Sequence, residues 1–403
     1  MTNSQNRTIW ILILSSSLIL AITMGVRQSL GLFIAPINSS TSLDIISISL
    51  ALAIGQFIWG LTQPIFGAIA DKKGSFGVLV FGALLMFFGL ILTPFLTSEF
   101  SIILTLGLLV AAGAGAGSFS ILIGATAKNL PNEKRSFAGG FINAGGSFGQ
   151  FIFAPLTQAI INGFGWIYSM IALAFSTLLT IPLVKILSSK SKKEETNLTN
   201  VIENDIKLKE QLKVALKDKS YLYLNLGFFT CGFHVAFLVT HLPHEVALCG
   251  HSANVSAYSL ALIGLFNIFG SLYAGYLGTK YKMKYILAFI YASRALMIII
   301  YLLSPKTELT FYIFSIAIGF TWLATVPPTA GIVGKLFGTK YLATLFGLTL
   351  LSHQIGGFFG AYLGGLFINS YGNFSLMWYL DIALAIVAAL ANLPIKEEKI
   401  NKN

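Results

Sequence analysis

Six ionisable side chains lie within long apolar stretches of this sequence, where a charge is costly unless it is paired or hydrated. They are two arginines, one aspartate and three histidines: Arg27, Arg294, Asp381, His234, His241 and His353. An arginine presents a planar fork of donors that can bind a carboxylate through two hydrogen bonds. Histidine exchanges its proton near neutral pH. These residue types favour binding of an organic anion together with transfer of a proton.

The oppositely charged residues Arg294 and Asp381 are expected to form a structural ion pair. A neutral pair is tolerated in an apolar interior far better than either charge by itself. The alternative is proton coupling through Asp381, together with His234 and His353. Each histidine can also be a neutral group that is hydrogen bonded between two helices, and this second interpretation remains open.

The motif His241-x-x-His244-Glu245 has the residue types of a metal site, but we do not expect it to bind metal. Pro243 is predicted to interrupt the helix, and no further cluster completes a set of four ligands. The two cysteines have neither a disulfide framework nor metal-ligand spacing. No loop brings a nucleophile together with a base. The sequence therefore predicts no metal, no cofactor and no enzymatic activity.

The stretches that carry the ionisable residues have the composition of a membrane protein. Hydrophobic residues make up 55% of the chain and charged residues 10%, whereas about a quarter of the residues are charged in soluble proteins. The mean hydropathy is +0.79. The 39 glycines suit closely packed membrane helices. The first apolar run is too long for a signal peptide and lacks a cleavage site, so we expect it to be retained as a helix.

Twelve apolar runs are long enough to cross a bilayer, which takes about 20 residues. We number them spans 1 to 12, at residues 9–34, 45–69, 76–97, 101–127, 136–160, 165–187, 220–242, 254–278, 284–304, 310–334, 341–369 and 373–394. They predict an all-α membrane protein made of two six-helix bundles. The predicted units are bundles at 1–187 and 220–394, a linker at 188–219 with helical tendency near its end, and a tail at 395–403.

Basic residues are distributed very unevenly between the two sides of this topology. Of the 26 Lys and Arg residues, 23 fall on the side of the termini and the linker, and Lys306 falls on the other side. Cytoplasmic loops carry the excess of Lys and Arg, so the termini and the linker are predicted to be cytoplasmic. The net charge of +11 is thus explained by topology, and no nucleic-acid partner is expected.

A short charged segment, Gly67-Ala68-Ile69-Ala70-Asp71-Lys72-Lys73-Gly74, follows the apolar run of span 2, and a weaker copy at 275–282 follows span 8. Two copies in corresponding places suggest a chain built by doubling. The arrangement resembles the major facilitator superfamily, whose signature here is Gly-x-x-x-Asp-Arg/Lys-x-Gly-Arg-Arg/Lys. This chain matches the first part of the signature and has Ser75-Phe76 in place of the last basic pair.

The resemblance implies transport by alternating rocking of two halves, and it gives this segment a gating role. The implied gating residues are Gly67, Asp71, Lys72 and Gly74. Asp71 would accept hydrogen bonds from a neighbouring helix N-terminus, where partial positive charge favours a carboxylate, and so latch the cytoplasmic ends together. The alternative is a solvated turn that only sets the topology.

Spans 4 and 5 look like the monocarboxylate and oxalate/formate porter branch of that superfamily. The matching residues are the glycine-rich run at 113–117, Asn129-Leu130-Pro131, and the segment from Gly140 to Gln150. Spans 7, 10 and 11 look like a set of bacterial transporters near that branch, through residues 232–243, 327–329 and 352–354. Carboxylate porters of the branch usually carry an arginine in span 8, where this chain has Gly270-Ser271.

In the resembled fold, spans 1, 2, 5, 7 and 11 border a central cavity. The substrate-binding residues implied by this placement are Arg27, His234, His241, His353, Gln354, Asn143, Gln150 and Gln56. Arg27 can instead cap the outer vestibule or bind carbonyls of a neighbouring helix. Neutral polar residues of this set can equally serve as hydrogen-bonding contacts between helices.

Taken together, the residues and the resemblance predict a secondary active transporter of a small organic anion such as a monocarboxylate. We expect proton coupling, a monomer, and a location in the bacterial inner membrane, with the anion, the proton and the lipid bilayer as partners. One alternative is efflux of an amphipathic drug or metabolite through an aromatic cavity. The other alternative is a membrane receptor or sensor that does not transport.

Overall fold

The computed structural model describes residues 3–96, 98–127, 132–189, 208–338 and 342–398, which are helical almost throughout. Most of the predicted linker, the motif at 129–131 and the last residues of the tail lie outside the described residues. The described end of the linker forms the helix Leu208–Ala215, where the sequence predicted helical tendency. The side chains of Asp71 and Lys72 also lie outside the description.

The first half of the chain contains spans 1 to 6, several of which are built from more than one helix. Their helices are Asn3–Gln28, Leu30–Phe33 and Ile34–Ser40 (span 1), Ile45–Lys73 (span 2), Ser75–Leu92 and Thr93–Phe95 (span 3), Glu99–Ile102, Ile103–Val110, Ala111–Ala116 and Phe119–Ala127 (span 4), Asn132–Phe164 (span 5), and Trp166–Leu178 and Thr180–Ser189 (span 6). Leu30–Phe33 and Thr93–Phe95 are 3-10 turns, and Ile103–Val110 is a π-helix.

The second half contains spans 7 to 12. Their helices are Lys219–Leu248 (span 7), Ala253–Lys280 (span 8), Met283–Leu303 (span 9), Glu308–Thr321 and Val326–Phe337 (span 10), Leu342–Tyr371 (span 11) and Ser375–Asn392 (span 12). Among the described residues, ten of the twelve spans are long and apolar enough to cross a membrane on length and composition. Spans 5 and 11, which begin beside residues outside the description, are not among these ten.

Three boundaries differ from the sequence prediction, and each difference has a local cause. Pro243 does not end span 7, which continues to Leu248, because a proline removes one backbone donor without preventing neighbouring helices from holding the chain. Span 2 stays helical through Lys73, and the turn is Gly74 with φ +88°, a conformation that favours glycine. Span 10 breaks at 322–325 and restarts at Val326, with prolines in the first turn, where no backbone donor is needed.

The two halves repeat the same helix pairings. In the first half span 1 packs on span 5, span 2 on span 4, and span 3 on span 6. In the second half span 7 packs on span 11, span 8 on span 10, and span 9 on span 12. Corresponding spans therefore have corresponding partners, which agrees with the duplication suggested by the repeated segment at 67–74 and 275–282.

The halves meet through span 2 against span 11 and span 5 against span 8. We call the side that holds the ends of spans 6 and 12 the terminal side, and the opposite side the distal side. Hydrogen bonds between the halves, within the described ranges, join Asn162 to Asn254, Gln150 to the Leu260 carbonyl, and Asn267 to Ser147. These residues lie from the middle of spans 5 and 8 to their distal ends.

Glycines on the facing surfaces of spans 2 and 11 show that the halves are apart on the terminal side. A Cβ on Gly60 would crowd Gln354, and one on Gly365 would overlap Ser49. Gly67 lies seven residues from Gly60, and Gly347 lies seven residues from Gln354, both toward the terminal side, and neither has an atom within 4 Å of its Cβ position. Because residues seven apart lie on the same helix face, the interface is closed distally and open toward the terminal side.

Candidate substrate site

Arg27 lies in the last turn of the first helix of span 1, where span 2 holds its guanidinium in place. Its Nη2 donates to Gln56 Oε1, and its Cζ lies 4.0 Å from the centroid of the Trp59 ring. Gln56 and Trp59 are three residues apart, so both face span 1 from one side of span 2. A hydrogen-bond acceptor and an aromatic face thus fix a half-buried cation near mid-membrane.

A small chamber surrounds the Arg27 head group. Its volume is about 30 Å³, and it is lined by Arg27, Leu30, Gly31, Leu52, Gly55, Gln56, Leu106, Val110, Ala111, Val239 and Thr240. These residues come from spans 1, 2, 4 and 7. The volume accommodates about one water molecule, whereas pockets for drug-sized ligands start near 300 Å³. An organic anion can therefore contact Arg27 only after the chamber widens.

A backbone acceptor lies on the wall of the chamber opposite span 2. Pro243 has no N–H, so the Val239 carbonyl loses the donor that a continuous helix would supply. Gly31 covers this carbonyl so closely that a Cβ at position 31 would overlap it. The chamber therefore combines the cation of Arg27 with a carbonyl that has no helical partner.

Three of the predicted amides lie at the contact between the halves. Gln354 packs against Gly60, and the Cβ of Gln56 lies beside Gly357. Gln150 donates to the Leu260 carbonyl at 3.1 Å and is buried, so it joins the halves in this conformation. Asn143, one turn from Ser147 toward the terminal side, is half-buried. The structure thus brings Gln56 directly to Arg27 and distributes the other amides along the interface.

The three predicted histidines are buried between helices of the second half, and none of them lines the Arg27 chamber. His234 Nε2 lies 3.1 Å from the Asp381 carbonyl oxygen, and His241 Nε2 lies 2.7 Å from the Ala361 carbonyl oxygen. His353 stacks on Phe228 at 4.9 Å. Their contacts are the interhelical ones that the sequence left open as the alternative.

The expected direct pair between Arg294 and Asp381 does not form. Arg294 Nη2 donates to the carbonyl oxygens of Thr321 and Trp322, which lie at the break in span 10. Asp381 Oδ1 instead lies 3.2 Å from His234 Nε2. Arg294 still acts on Asp381 electrostatically across the packed interior. The sequence could not foresee this arrangement, because the acceptors of Arg294 are backbone groups exposed by the break.

The side chains of His241, His244 and Glu245 do not converge on one point, although the helix continues through Pro243. Within the described residues, no group of three or more potential ligands comes together. His241 is bonded to the Ala361 carbonyl, and the Glu245 carboxylate accepts from Tyr301 and Trp378. The proline argument against a metal site was wrong, because the helix does not end at Pro243. The side chains stay apart because they have separate partners.

Sequence reasoning missed several residues of these sites. Trp59 holds Arg27, and Thr240 and Val239 line its chamber. Cys231 lies near His353, with its sulfur 3.3 Å from Thr325 Oγ1. A tryptophan three residues after Gln56 is the one available sequence pattern, since it places both side chains on the face that meets span 1. Val239, Thr240 and Cys231 follow no sequence pattern that distinguishes them from other residues of a membrane helix.

The sequence matches the family described as Major Facilitator Superfamily over residues 16–361. The chain belongs to this superfamily. The crystal structure of a D-xylose-proton symporter has the same fold, with a TM-score of 0.75 at 14% identity over 97% of this chain and 100% of that one. The predicted fold class and family are confirmed, and the protein is a multi-pass membrane transporter rather than an enzyme.

Two relatives of this superfamily member are named for carboxylate transport. Monocarboxylate transporter 13 of Rattus norvegicus is 24% identical over 402 residues, covering 96% of this chain and 89% of the relative. The oxalate:formate antiporter of Oxalobacter formigenes is 23% identical over 392 residues, covering 96% of this chain and 91% of the relative. The predicted resemblance to the monocarboxylate and oxalate/formate branch is therefore confirmed.

Proposed function

We propose that this transporter carries small organic anions of the monocarboxylate class together with protons. The observation that carries the proposal is Arg27, a half-buried cation that Gln56 and Trp59 hold near mid-membrane. Intramembrane ionisable residues mark substrate pathways, and a guanidinium is suited to a carboxylate. The names of the two carboxylate-transporting relatives support the same substrate class.

Substrate binding replaces a neutral partner of Arg27 with a charged one. In the structure the guanidinium donates to the Gln56 amide oxygen. A carboxylate competes for this donor because it adds the attraction of opposite charges and can accept two parallel N–H bonds from the guanidinium. The displaced Gln56 amide and Gln354 across the interface then provide donors for the rest of the ligand. Widening of the chamber accompanies this exchange, because the present volume is about 30 Å³.

The proton site of the proposed mechanism is the pair of His234 and Asp381. The pair is buried between spans 7 and 12, and its atoms are 3.2 Å apart. Arg294 from span 9 provides the nearby positive charge, and Tyr291, Cys231 and His353 are the other titratable groups of this region. A proton taken up here changes the charge balance with Arg294 and so couples protonation to the packing of spans 7, 9 and 12.

Alternating access then moves both ligands across the membrane by rocking one half against the other. The excess of Lys and Arg on the terminal side supports a cytoplasmic orientation of that side, so the open interface would face the cytoplasm. The segment from Gly67 to Gly74, with Asp71 and Lys72, is the proposed gate at this side. We propose import by proton symport into a bacterial cell across its inner membrane.

Counterflow in proteoliposomes tests the role of Arg27 directly. We expect exchange of radiolabelled lactate, pyruvate, formate or oxalate by the wild type, faster at pH 5.5 than at pH 7.5. Arg27→Lys keeps the charge and loses the fork, and it should lower the exchange by about 10- to 100-fold, the value of a charged hydrogen bond. Arg7→Ala, an exposed arginine near the N-terminus, is the matched control and should transport normally.

Two outcomes would overturn the proposal. Carboxylate exchange that survives Arg27→Lys and Arg27→Ala unchanged would remove Arg27 from the substrate site. Exchange of tetraphenylphosphonium, with no carboxylate exchanged and no effect of either substitution, would favour efflux of amphipathic compounds instead. Folding of each variant is checked by its elution profile in detergent, so that loss of transport is not confused with loss of the protein.

A further inference from the structure

A second cavity, which shares no lining residue with the Arg27 chamber, lies at the distal end of the second half. Its volume is about 620 Å³, within the range of small-molecule sites. It is formed by the ends of spans 7 and 9, the connection between spans 11 and 12, and the start of span 12. Residues that matter for its chemistry are Glu245, Lys306, Trp378, Tyr379, Ile299 and Leu303. We call it the distal pocket.

The Glu245 carboxylate forms the polar floor of the distal pocket. The residue is 8% exposed, so a partner for its charge matters energetically. Its Oε1 accepts from the Tyr301 hydroxyl at 2.8 Å and from the Trp378 indole N–H at 3.3 Å. Both donors use the same oxygen, and among the described residues no donor reaches Oε2. Glu245 can therefore accept further hydrogen bonds from a cation in the pocket.

Lys306 places a positive charge on the rim of the distal pocket. Its Nζ donates to the carbonyls of Tyr301, Leu302 and Ser304 and lies 4.0 Å from the centroid of the Tyr301 ring. These contacts fix the ammonium at the C-terminal end of span 9, where a helix favours a cation. Glu245 and Lys306 interact electrostatically, so the pocket presents an anion inside and a cation at its edge.

The mouth of the distal pocket opens on the lipid-facing surface of spans 9 and 12. Leu303 is 83% exposed, and Tyr379 is 60% exposed. Exposed apolar side chains on a membrane helix face acyl chains, and tyrosine and tryptophan concentrate at the level of the lipid head groups. The pocket is thus an amphipathic site at the membrane interface, with its polar groups inside and its apolar wall outside.

From this charge arrangement we propose that the distal pocket binds the head group of a phosphatidylethanolamine molecule from the distal leaflet. The primary ammonium donates to Glu245 Oε2, and the phosphodiester lies toward Lys306. The acyl chains follow Ile299 and Leu303. An ethanolamine head group matches the anion and the cation at once. Phosphatidylglycerol has no cation for Glu245, and the trimethylated ammonium of phosphatidylcholine has no N–H to donate.

Lipid titration of the purified full-length protein in detergent tests this proposal, with native mass spectrometry and melting temperature as readouts. Phosphatidylethanolamine, its N-methyl and N,N-dimethyl derivatives, phosphatidylcholine and phosphatidylglycerol are compared with identical acyl chains. A ligand that binds the folded protein raises its melting temperature by mass action. We expect the largest shift with phosphatidylethanolamine and a stepwise loss as N–H groups are methylated. This series uses the wild type and needs no substitution.

Substitution of the carboxylate provides the second arm of the test. Glu245→Gln should weaken phosphatidylethanolamine binding by at least about tenfold, because a charged hydrogen bond becomes a neutral one. Glu308→Gln is the matched control, since Glu308 is 58% exposed at the same end and lies 4.0 Å from His251. Equal binding of phosphatidylethanolamine and phosphatidylcholine would overturn the proposal, as would a full preference for phosphatidylethanolamine in Glu245→Gln. Complete competition by soluble ethanolamine, which lacks the phosphodiester and the acyl chains, would indicate a site for free amines instead.

Discussion

Arg294 is buried in span 9, and its guanidinium donates to the Thr321 and Trp322 carbonyls where span 10 leaves its regular helical pattern. In a continuous helix these two carbonyls would accept from the backbone N–H groups four residues later, but the helix breaks at 322–325. The charge of Arg294 is therefore used to complete the hydrogen bonding of a broken helix. Asp381 reaches His234 on another span. Arg294 thus has hydrogen-bond acceptors of its own, whereas among the described residues neither carboxylate oxygen of Asp381 accepts a hydrogen bond.

This arrangement predicts that exchanging Arg294 and Asp381 will not preserve the protein. An aspartate at 294 is too short to reach the Thr321 and Trp322 carbonyl oxygens and brings no donor, which would leave only the weak Cys231 thiol contact to Trp322. Loss of one member of a buried charged contact costs about 3 to 5 kcal/mol. The double variant Arg294→Asp with Asp381→Arg should therefore melt well below the wild type, as measured by thermal unfolding of the detergent-purified protein.

Asp381→Asn is the control for this comparison, because asparagine has nearly the size of aspartate and keeps the backbone carbonyl that contacts His234, and we expect a smaller loss of stability. A double variant that melts like the wild type would contradict the assignment and restore the direct ion pair. The single variant Arg294→Lys should also be destabilised, since a lysine ammonium lacks the planar fork that reaches two carbonyls.

At this scale the sequence predicted which residues carry charge inside the membrane, but not what they contact. Arg27 and Gln56 were predicted as site residues, and they are in contact. The histidines were predicted on spans 7 and 11, and they are there, but their side chains point into the second half. The helical period shows which residues share a face. The rotation of that face within the bundle follows from packing that a single sequence does not reveal.

At the scale of elements, the 3-10 turn of span 1 packs against the segment of span 7 that precedes its proline. Pro243 frees the Val239 carbonyl in span 7, and the 3-10 turn Leu30–Phe33 of span 1 brings Gly31 onto it. A proline was read from the sequence as a helix end, although the helix continues to Leu248. Neighbouring helices commonly accommodate proline in membrane spans, which is why helix length could not be predicted from Pro243.

Gly31→Ala tests this crossing of spans 1 and 7. The new Cβ would overlap the Val239 carbonyl and would also crowd Thr240, so the distal contact between the halves must separate. Overpacking of this kind costs about 1 to 3 kcal/mol. We expect a lower melting temperature in detergent. Gly163→Ala in span 5 is the control, because its Cβ meets nothing within 4 Å and alanine favours helix. An unchanged or raised melting temperature in Gly31→Ala would contradict the close crossing.

At the scale of the whole molecule, the contact surface between spans 2 and 11 must fit two conformations of the transporter. The distal part of this surface is in contact through Gly60, Gly357 and Gly365. Its terminal part, with Gly67 and Gly347, is open. Alternating access requires the terminal part to close when the distal part opens. The doubled architecture was predictable from the repeated segments. Which side of the interface is open could not be predicted, because it depends on an equilibrium between two packings of the same helices.

Gly347→Leu should favour one of the two conformations of this surface over the other. A leucine at 347 fits the present conformation, because its Cβ meets no atom within 4 Å, but it would lie between spans 2 and 11 when the terminal side closes. A cost of about 1 to 3 kcal/mol for overpacking lowers the closed population by about 5- to 100-fold. Counterflow should fall by a similar factor, and pulsed electron resonance distances between labels on the terminal ends of spans 5 and 8 should lose their short component. Gly77→Leu at the terminal end of span 3 is the control, because the Cβ of residue 77 also has open space around it, and this variant should transport like the wild type. Equal exchange by the two variants would show that the terminal surfaces of spans 2 and 11 do not meet.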